Sequence, residues 1–320
     1  MIWNPSEGIN LGFFTIHYYS LMFVVAFSLG WYIMKHIFIR ENQSLEKLDT
    51  LFVWTVLATL VGARLGHVFF YERELLSQDF LRVFLPFRTK PHFEFTGFQG
   101  LASHGAAIAI IATMYFYSKK VIQKPILWVL DRVVIPVASG AIFVRIGNFF
   151  NSEIYGHITH KSSFLATKFV REDEFWQSHD LKGLTNINDT QKAFEALTTN
   201  PKFAPIVEQI PYRFPAQLYE SLSYIFVFAI LFYLYWKTNA REKQGFLFGL
   251  FLVLLWTVRF LVEFVKESQG GDIEKWFDGL FTTGQWLSIP FIIIGFYFVL
   301  KAKKSNLSKF RYKKIPKVRF

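Results

Sequence analysis

Three arginines, Arg64, Arg145 and Arg259, lie within or beside long apolar runs. A cation in such a setting is costly, and polar residues inside a membrane usually face a bundle interior or a watery cavity. A guanidinium offers a planar fork of donors and keeps its charge, so three of them suit a bound phosphate. His104 is the natural proton acceptor near neutral pH, and Gly105 beside it lets backbone approach closely. Further polar residues stand in comparable places: Tyr19, Asn148, Asn151, Glu153, Gln217, Glu220, Glu263 and Gln285. A phosphate clamp with a base points to a phospholipid headgroup. The residue types alone leave transfer, hydrolysis and plain lipid binding open.

Positioning these residues requires membrane helices. The chain has 320 residues, of which 52% are hydrophobic, with 39 Phe. A span needs about 20 mostly apolar residues. About seven such runs can be read, at 16–35, 50–71, 100–118, 126–149, 216–236, 246–265 and 283–300. The expected fold is therefore an all-α, polytopic integral membrane protein. Lys and Arg crowd the short loops 35–47, 119–124 and 237–243 and the segment after 300. Short-loop cations mark the cytoplasmic side, which places the N-terminus outside and the C-terminus in the cytoplasm. Residues 1–300 are read as one seven-span domain. A polar insertion at about 157–213, too long for a plain connector, is expected to form a small extracytoplasmic cap. Its sequence has a helix-like patch near 190–198. Residues 301–320 form a basic cytoplasmic tail suited to anionic lipid.

Depth then links the polar residues. In this topology Tyr19, Arg64, His104, Arg145, Asn148, Gln217, Glu220, Arg259, Glu263 and Gln285 all fall towards the outer leaflet. Snorkelling would place long cations at both membrane faces and would not favour Gln, His and Glu on one. One polar cavity opening outward is the expectation, with Asp131-Arg132 near the inner end of the fourth span as the exception. Arg259 and Glu263, four residues apart, are also suited to pairing with each other. Arg64 and His67 are suited to capping a neighbouring helix end.

Several classes are disfavoured. The net charge of +11 sits largely in the tail and comes with no nucleic-acid reader motif. The chain has no cysteine, which excludes disulfides, thiolate metal sites and a thiol nucleophile of its own. No metal is expected, because the histidines lack ligand spacing, and no cofactor is implied. The first fifteen residues lack the pattern of a cleaved signal peptide. An anionic-phospholipid transporter or binding protein remains the alternative reading of the arginine cluster.

Seven segments carry a family resemblance. Arg145-Ile-Gly-Asn-Phe-Phe-Asn151-Ser-Glu153-Ile-Tyr-Gly156 resembles the signature of the prolipoprotein diacylglyceryl transferases, G-R-x-G-N-F-x-N-x-E-x-x-G. Similar to further motifs of that family, in order, are Ile16 to Met22, Ala63 to Gly66, Ser103 to Ala106, Arg213 to Glu220, Arg259 to Phe264 and Gly284 to Pro290. Ser20, Ala106, Val144 and Phe214 depart from the family pattern. The resemblance implies transfer of the diacylglyceryl group from phosphatidylglycerol to the lipobox cysteine of a preprolipoprotein, in the bacterial cytoplasmic membrane. Its partners are phosphatidylglycerol, the lipobox peptide and membrane lipids. It implies His104, Arg145 and Arg259 as catalytic residues: the arginines on the phosphate, the histidine taking the thiol proton. Tyr19, Arg64, Asn148, Asn151, Glu153, Gly156, Gln217, Glu220 and Glu263 are implied as substrate-binding, with Glu263 orienting Arg259.

Overall fold

The computed structural model describes residues 1–12, 15–79, 82–83, 87–88, 94–95, 100, 102–266 and 280–303. Among the described residues, six helices are long and apolar enough to cross a membrane. They are α1 (Tyr18–Arg40), α2 (Leu45–Tyr71), α3 (Ser103–Tyr117, continued by a π-helical turn at Ser118–Ile122), α4 (Ile126–Phe150), α9 (Ala216–Lys237) and α11 (Thr283–Lys301). A seventh apolar helix, α10 (Phe246–Val262), has 17 residues. At 1.5 Å per residue it is about 26 Å long, a little short of the hydrocarbon core. The protein is thus a multi-pass, all-α membrane protein. Several helices outrun the apolar runs that announce them. Helix α2 starts five residues before its apolar run because Ser44 caps it, accepting from the Lys47 amide at 3.4 Å. The basic tail lies outside the described residues beyond 303.

The chain forms two compact units, Ser28–Pro136 and Met1–Phe27 with Val137–Phe320. In the first, α2 and α3 pack through glycines. A Cβ on Gly66 would stand 2.6 Å from the Gly105 Cα, and one on Gly105 would stand 2.3 Å from the Gly62 carbonyl oxygen. Small residues spaced four apart allow this close backbone approach, the usual way to join helices where lipid removes the hydrophobic driving force. At another corner of this unit Arg132 pairs with Glu41 at 2.9 Å and lies over the Trp128 ring. The arginine of the intramembrane exception seen in the sequence is therefore held in a structural ion pair.

In the second unit α10 lies along α11, with Gly249 and Gly295 face to face: a Cβ on either would meet the other's carbonyl oxygen at 2.7 Å. Thr282 and Gln285 close a reciprocal capping box at the start of α11. Residues 157–213 fold around a small core of Val170, Leu197, Phe203, Val207 and Ile210. Four short helices build it: α5 (Asp173–Ser178), α6 (Leu181–Thr185), α7 (Thr190–Thr199) and α8 (Ala204–Gln209). Ile2–Trp3 pairs in parallel with Lys168–Phe169, and the Trp3 indole donates to the Phe149 carbonyl at 2.9 Å. Arg213, 2% exposed, ties the same region down. Its Nε bonds Glu172, its Nη2 bonds Glu174 at 2.5 Å, and its guanidinium covers the Tyr155 ring. Burial opposes the charge on Arg213, but the Glu172 carboxylate, by charge and hydrogen bond, and then Glu174 hold its pKa above the ordinary value.

Candidate functional site

Helix α4 ends at Phe150, and its last two turns carry Arg145 and Asn148. Arg145 Nε pairs with Glu220 Oε2 at 2.5 Å, and Arg145 Nη1 donates to Asn148 Oδ1 at 3.1 Å. Asn148 passes the link on, its Nδ2 donating to Glu153 Oε1 at 2.6 Å. Asn151 Nδ2 reaches the same oxygen at 3.5 Å. The Tyr19 side chain joins this set through a hydrogen bond to Asn148, near the charges of Glu153 and Arg145. Gly147 makes room for it, since a Cβ there would stand 2.9 Å from Tyr19 Cδ2.

The chain just after α4 is held in an unusual shape. Ser152 and Ile154 both have positive φ, 54° and 60°. For a β-branched residue this region is strongly disfavoured. Several bonds hold it there. The Glu153 amide donates to the Asn148 carbonyl at 3.1 Å, and Gln217 Nε2 grips the Glu153 carbonyl at 2.5 Å. The Gly156 amide donates to the Phe214 carbonyl at 2.7 Å. Gly156 itself is a packing point: a Cβ there would lie 2.2 Å from the Val265 carbonyl oxygen.

Helix α9 presents Gln217, Glu220 and Tyr224 on one face at helical spacing, all buried. Tyr224 is hydrogen-bonded to the Arg145 side chain and lies within electrostatic reach of Glu220 and Arg259. Arg259 lies over the Trp256 ring at 5.1 Å, and that ring stacks on Phe291 at 4.2 Å. Among the described residues the Arg259 side chain has neither a carboxylate partner nor a hydrogen bond. Glu263 stands past the end of α10. It pairs with Lys266 at 3.3 Å and lies against Gly284, where a Cβ would meet its Oε1 at 2.4 Å. A carboxylate over the first turn of α11 is favoured by the exposed amides and the helix dipole there.

The chain is similar to known proteins along nearly its whole length. The family model described as prolipoprotein diacylglyceryl transferase matches residues 7–301. The phosphatidylglycerol–prolipoprotein diacylglyceryl transferase of Tolumonas auensis is 32% identical over 310 residues, 96% of this chain and 99% of that protein. Those of Chloroherpeton thalassium and Bacteroides fragilis are also 32% identical, over 97% and 93% of this chain and the same shares of theirs. The chain belongs to the prolipoprotein diacylglyceryl transferase family.

In this family member the structure joins Tyr19, Arg145, Asn148, Asn151, Glu153, Gln217 and Glu220 into one network, with Arg259 within electrostatic reach of its Tyr224 edge. Three residues singled out from the sequence, Arg64, His67 and His104, belong to the other unit. Arg64 is 6% exposed, and backbone carbonyls take up its fork: Val83 at 3.2 Å, Arg82 at 3.0 Å and Gly100 at 3.4 Å, with Glu72 at 3.8 Å. His67 faces the same Glu72 at 3.6 Å. His104 opens α3, exposed, with its ring edge-on to Phe70 at 4.7 Å.

One expected pairing is corrected. Glu263 caps α10 with helical backbone, its amide donating to the Arg259 carbonyl at 3.0 Å, but its carboxylate turns from Arg259 to the Lys266 ammonium and the start of α11. Gln285 is accounted for by its capping box and by donation to the Phe260 carbonyl at 3.4 Å. Tyr224, Trp256 and Lys266 went unnoticed in the sequence. Tyr224 was findable, four residues after Glu220 on the same face. The cap carries an open cavity of about 800 Å3 lined by Ile2, Lys168, Leu197 and Tyr212 among others. None of the residues singled out in the sequence lines it.

Proposed function

We propose that the protein moves the diacylglyceryl group of phosphatidylglycerol onto the lipobox cysteine of a preprolipoprotein, at the outer leaflet of the bacterial cytoplasmic membrane. The names of its relatives support the reaction. The observation that carries the reading is Arg259, a guanidinium in an apolar helix with no carboxylate partner among the described residues, within electrostatic reach of Tyr224, which is hydrogen-bonded to Arg145. Such a cation is stabilised by an anion from outside the protein, and its fork matches a phosphodiester.

The substrate thiol loses its proton, and its sulfur attacks the diacylglyceryl carbon. The carbon–oxygen bond to phosphorus breaks, and glycerol phosphate leaves with the electron pair. Charge grows on the leaving phosphate, where Arg145 and Arg259 stabilise it. Arg145 is already aimed by Glu220 and Asn148. Asn151, Glu153 and Tyr19 shape the headgroup side of that network, and Gln217 and Gly156 hold its backbone. Glu263, turned to Lys266 and α11, shapes the wall next to Arg259. Arg64 acts indirectly, by holding the outer chain after α2. His104 takes the thiol proton, directly or through water. A thiol with pKa near 8.5 is only slightly ionised at neutral pH, so a base has something to contribute.

The test uses purified protein in phosphatidylglycerol nanodiscs with a lipobox peptide. The peptide should gain the mass of a diacylglyceryl group, and a Cys-to-Ser peptide should not. Arg259→Lys keeps the charge but removes the fork. The rate should fall by about 10²–10³, the usual loss of one oxyanion donor. Undiminished transfer by Arg259→Lys would sink the clamp, and near-full transfer by His104→Gln would remove the base.

A further inference from the structure

The cap contains one loop that keeps apolar side chains outside. Ile158, Phe164 and Leu165 are 63%, 70% and 39% exposed. The loop between them is well tied. Ile158 bridges to Arg213, the Thr159 and Ser163 hydroxyls meet at 2.7 Å, and two successive turns run from His160 to Ala166. Leu165 even occupies left-handed backbone, at φ 54°. A tightly bonded loop that leaves three large apolar residues in the open has a surface to meet.

Phe164 shows which surface. Its ring stacks on Tyr219 with centroids 6.2 Å apart and planes 16° from parallel, and the Tyr219 hydroxyl donates to the Phe164 carbonyl. Tyr219 sits in the first turn of α9. Below it Leu222, Phe226, Ile230 and Tyr233 follow at steps of three and four residues, 44%, 69%, 42% and 61% exposed. That stripe runs along a membrane-spanning helix and so meets acyl chains. The loop continues it at the end where α9 enters the bilayer. His157, His160 and Lys161, all exposed, accompany the apolar residues. Aromatic and aliphatic residues at the boundary with a lysine and polar imidazoles beside them are the composition of an interfacial anchor on anionic lipid.

We propose that residues 158–165 are a membrane foot of the cap. They place Ile158, Phe164 and Leu165 at the headgroup–acyl boundary of the leaflet that α9 enters at Tyr219, with His160 and Lys161 at anionic headgroups. The partner is the lipid surface itself, because the patch extends a face that lipid already covers. This rests on the membrane span α9 and not on the transfer reaction, so either reading can fail without the other.

The absence of cysteine makes the test clean. Ile158→Cys and Phe164→Cys, with Leu184→Cys on cap helix α6 as the aqueous control, are labelled with bimane and reconstituted into nanodiscs of phosphatidylethanolamine and phosphatidylglycerol. The labels at 158 and 164 should emit blue-shifted. Acyl-brominated lipid should quench them several-fold more than the label at 184, and aqueous iodide should quench them less. Labels at 158 and 164 as open to iodide as the one at 184 would overturn the foot. So would labels that become shielded only when lipobox peptide is added, which would give the patch to the peptide.

Discussion

At the scale of single residues, the site depends on two kinds of tight fit. One is the space left by Gly147 for Tyr19. In Gly147→Ala the new methyl would stand 2.9 Å from Tyr19 Cδ2, and the ring can give way only by leaving Asn148. Transfer should fall while thermal unfolding in detergent stays near that of the parent; an unchanged rate would remove Tyr19 from the working geometry. The other is backbone strain. Residues in disfavoured φ regions cost on the order of 1–3 kcal/mol and persist where surrounding bonds over-determine them. Ile154 is such a residue, between a Glu153 carbonyl held by Gln217 and a Gly156 amide held by Phe214. Ile154→Gly relieves the strain and loosens the loop. Its unfolding midpoint should stay level or rise, while kcat falls as Glu153 loses its set position. A large drop in the midpoint would show that Ile154 supplies packing instead.

Elements succeed or fail here on how closely backbones approach. The α2–α3 pair is held by Gly62, Gly66 and Gly105, with nothing between the main chains at the crossing. Gly105→Ala puts a methyl 2.3 Å from the Gly62 carbonyl oxygen. The helices must separate, and overpacking of this kind costs roughly 1–3 kcal/mol. The measurement is the unfolding midpoint, which should drop. Much of the element level was legible beforehand, because span length follows hydrocarbon thickness and the short motifs sit on single helix ends. Arg145, Asn148 and Glu153 come together through a turn that the local sequence already contains. What stayed hidden needs neighbours distant in sequence. Arg259 and Glu263 look like a pair at helical spacing, and the spacing is kept, yet Lys266 and the first turn of α11 draw the Glu263 carboxylate away. Arg64 looks like a third phosphate ligand, yet carbonyls from residues 82, 83 and 100 claim its fork. Neither outcome has a signal in local spacing.

For the whole molecule, the orientation of the spans decides which face of the membrane carries the cap and the site. Short-loop cations point to one orientation, with residues 157–213 outside and the 119–124 loop in the cytoplasm. The cap has its own core and its own buried ion network, so it can serve as a compact folded reporter. Asn188 and Lys120 are both exposed, one in the cap and one in the short loop. In a chain without cysteine, Asn188→Cys and Lys120→Cys each carry a single thiol. A membrane-impermeant maleimide applied to intact spheroplasts should label Asn188→Cys at once and Lys120→Cys only after lysis. The reverse pattern would invert the topology. It would also place Arg145 and Arg259 at the leaflet facing the cytoplasm, where an exported lipobox is not found. The same labelling decides whether the transfer reading and the topology agree, since an outer site is needed for a substrate that has already crossed.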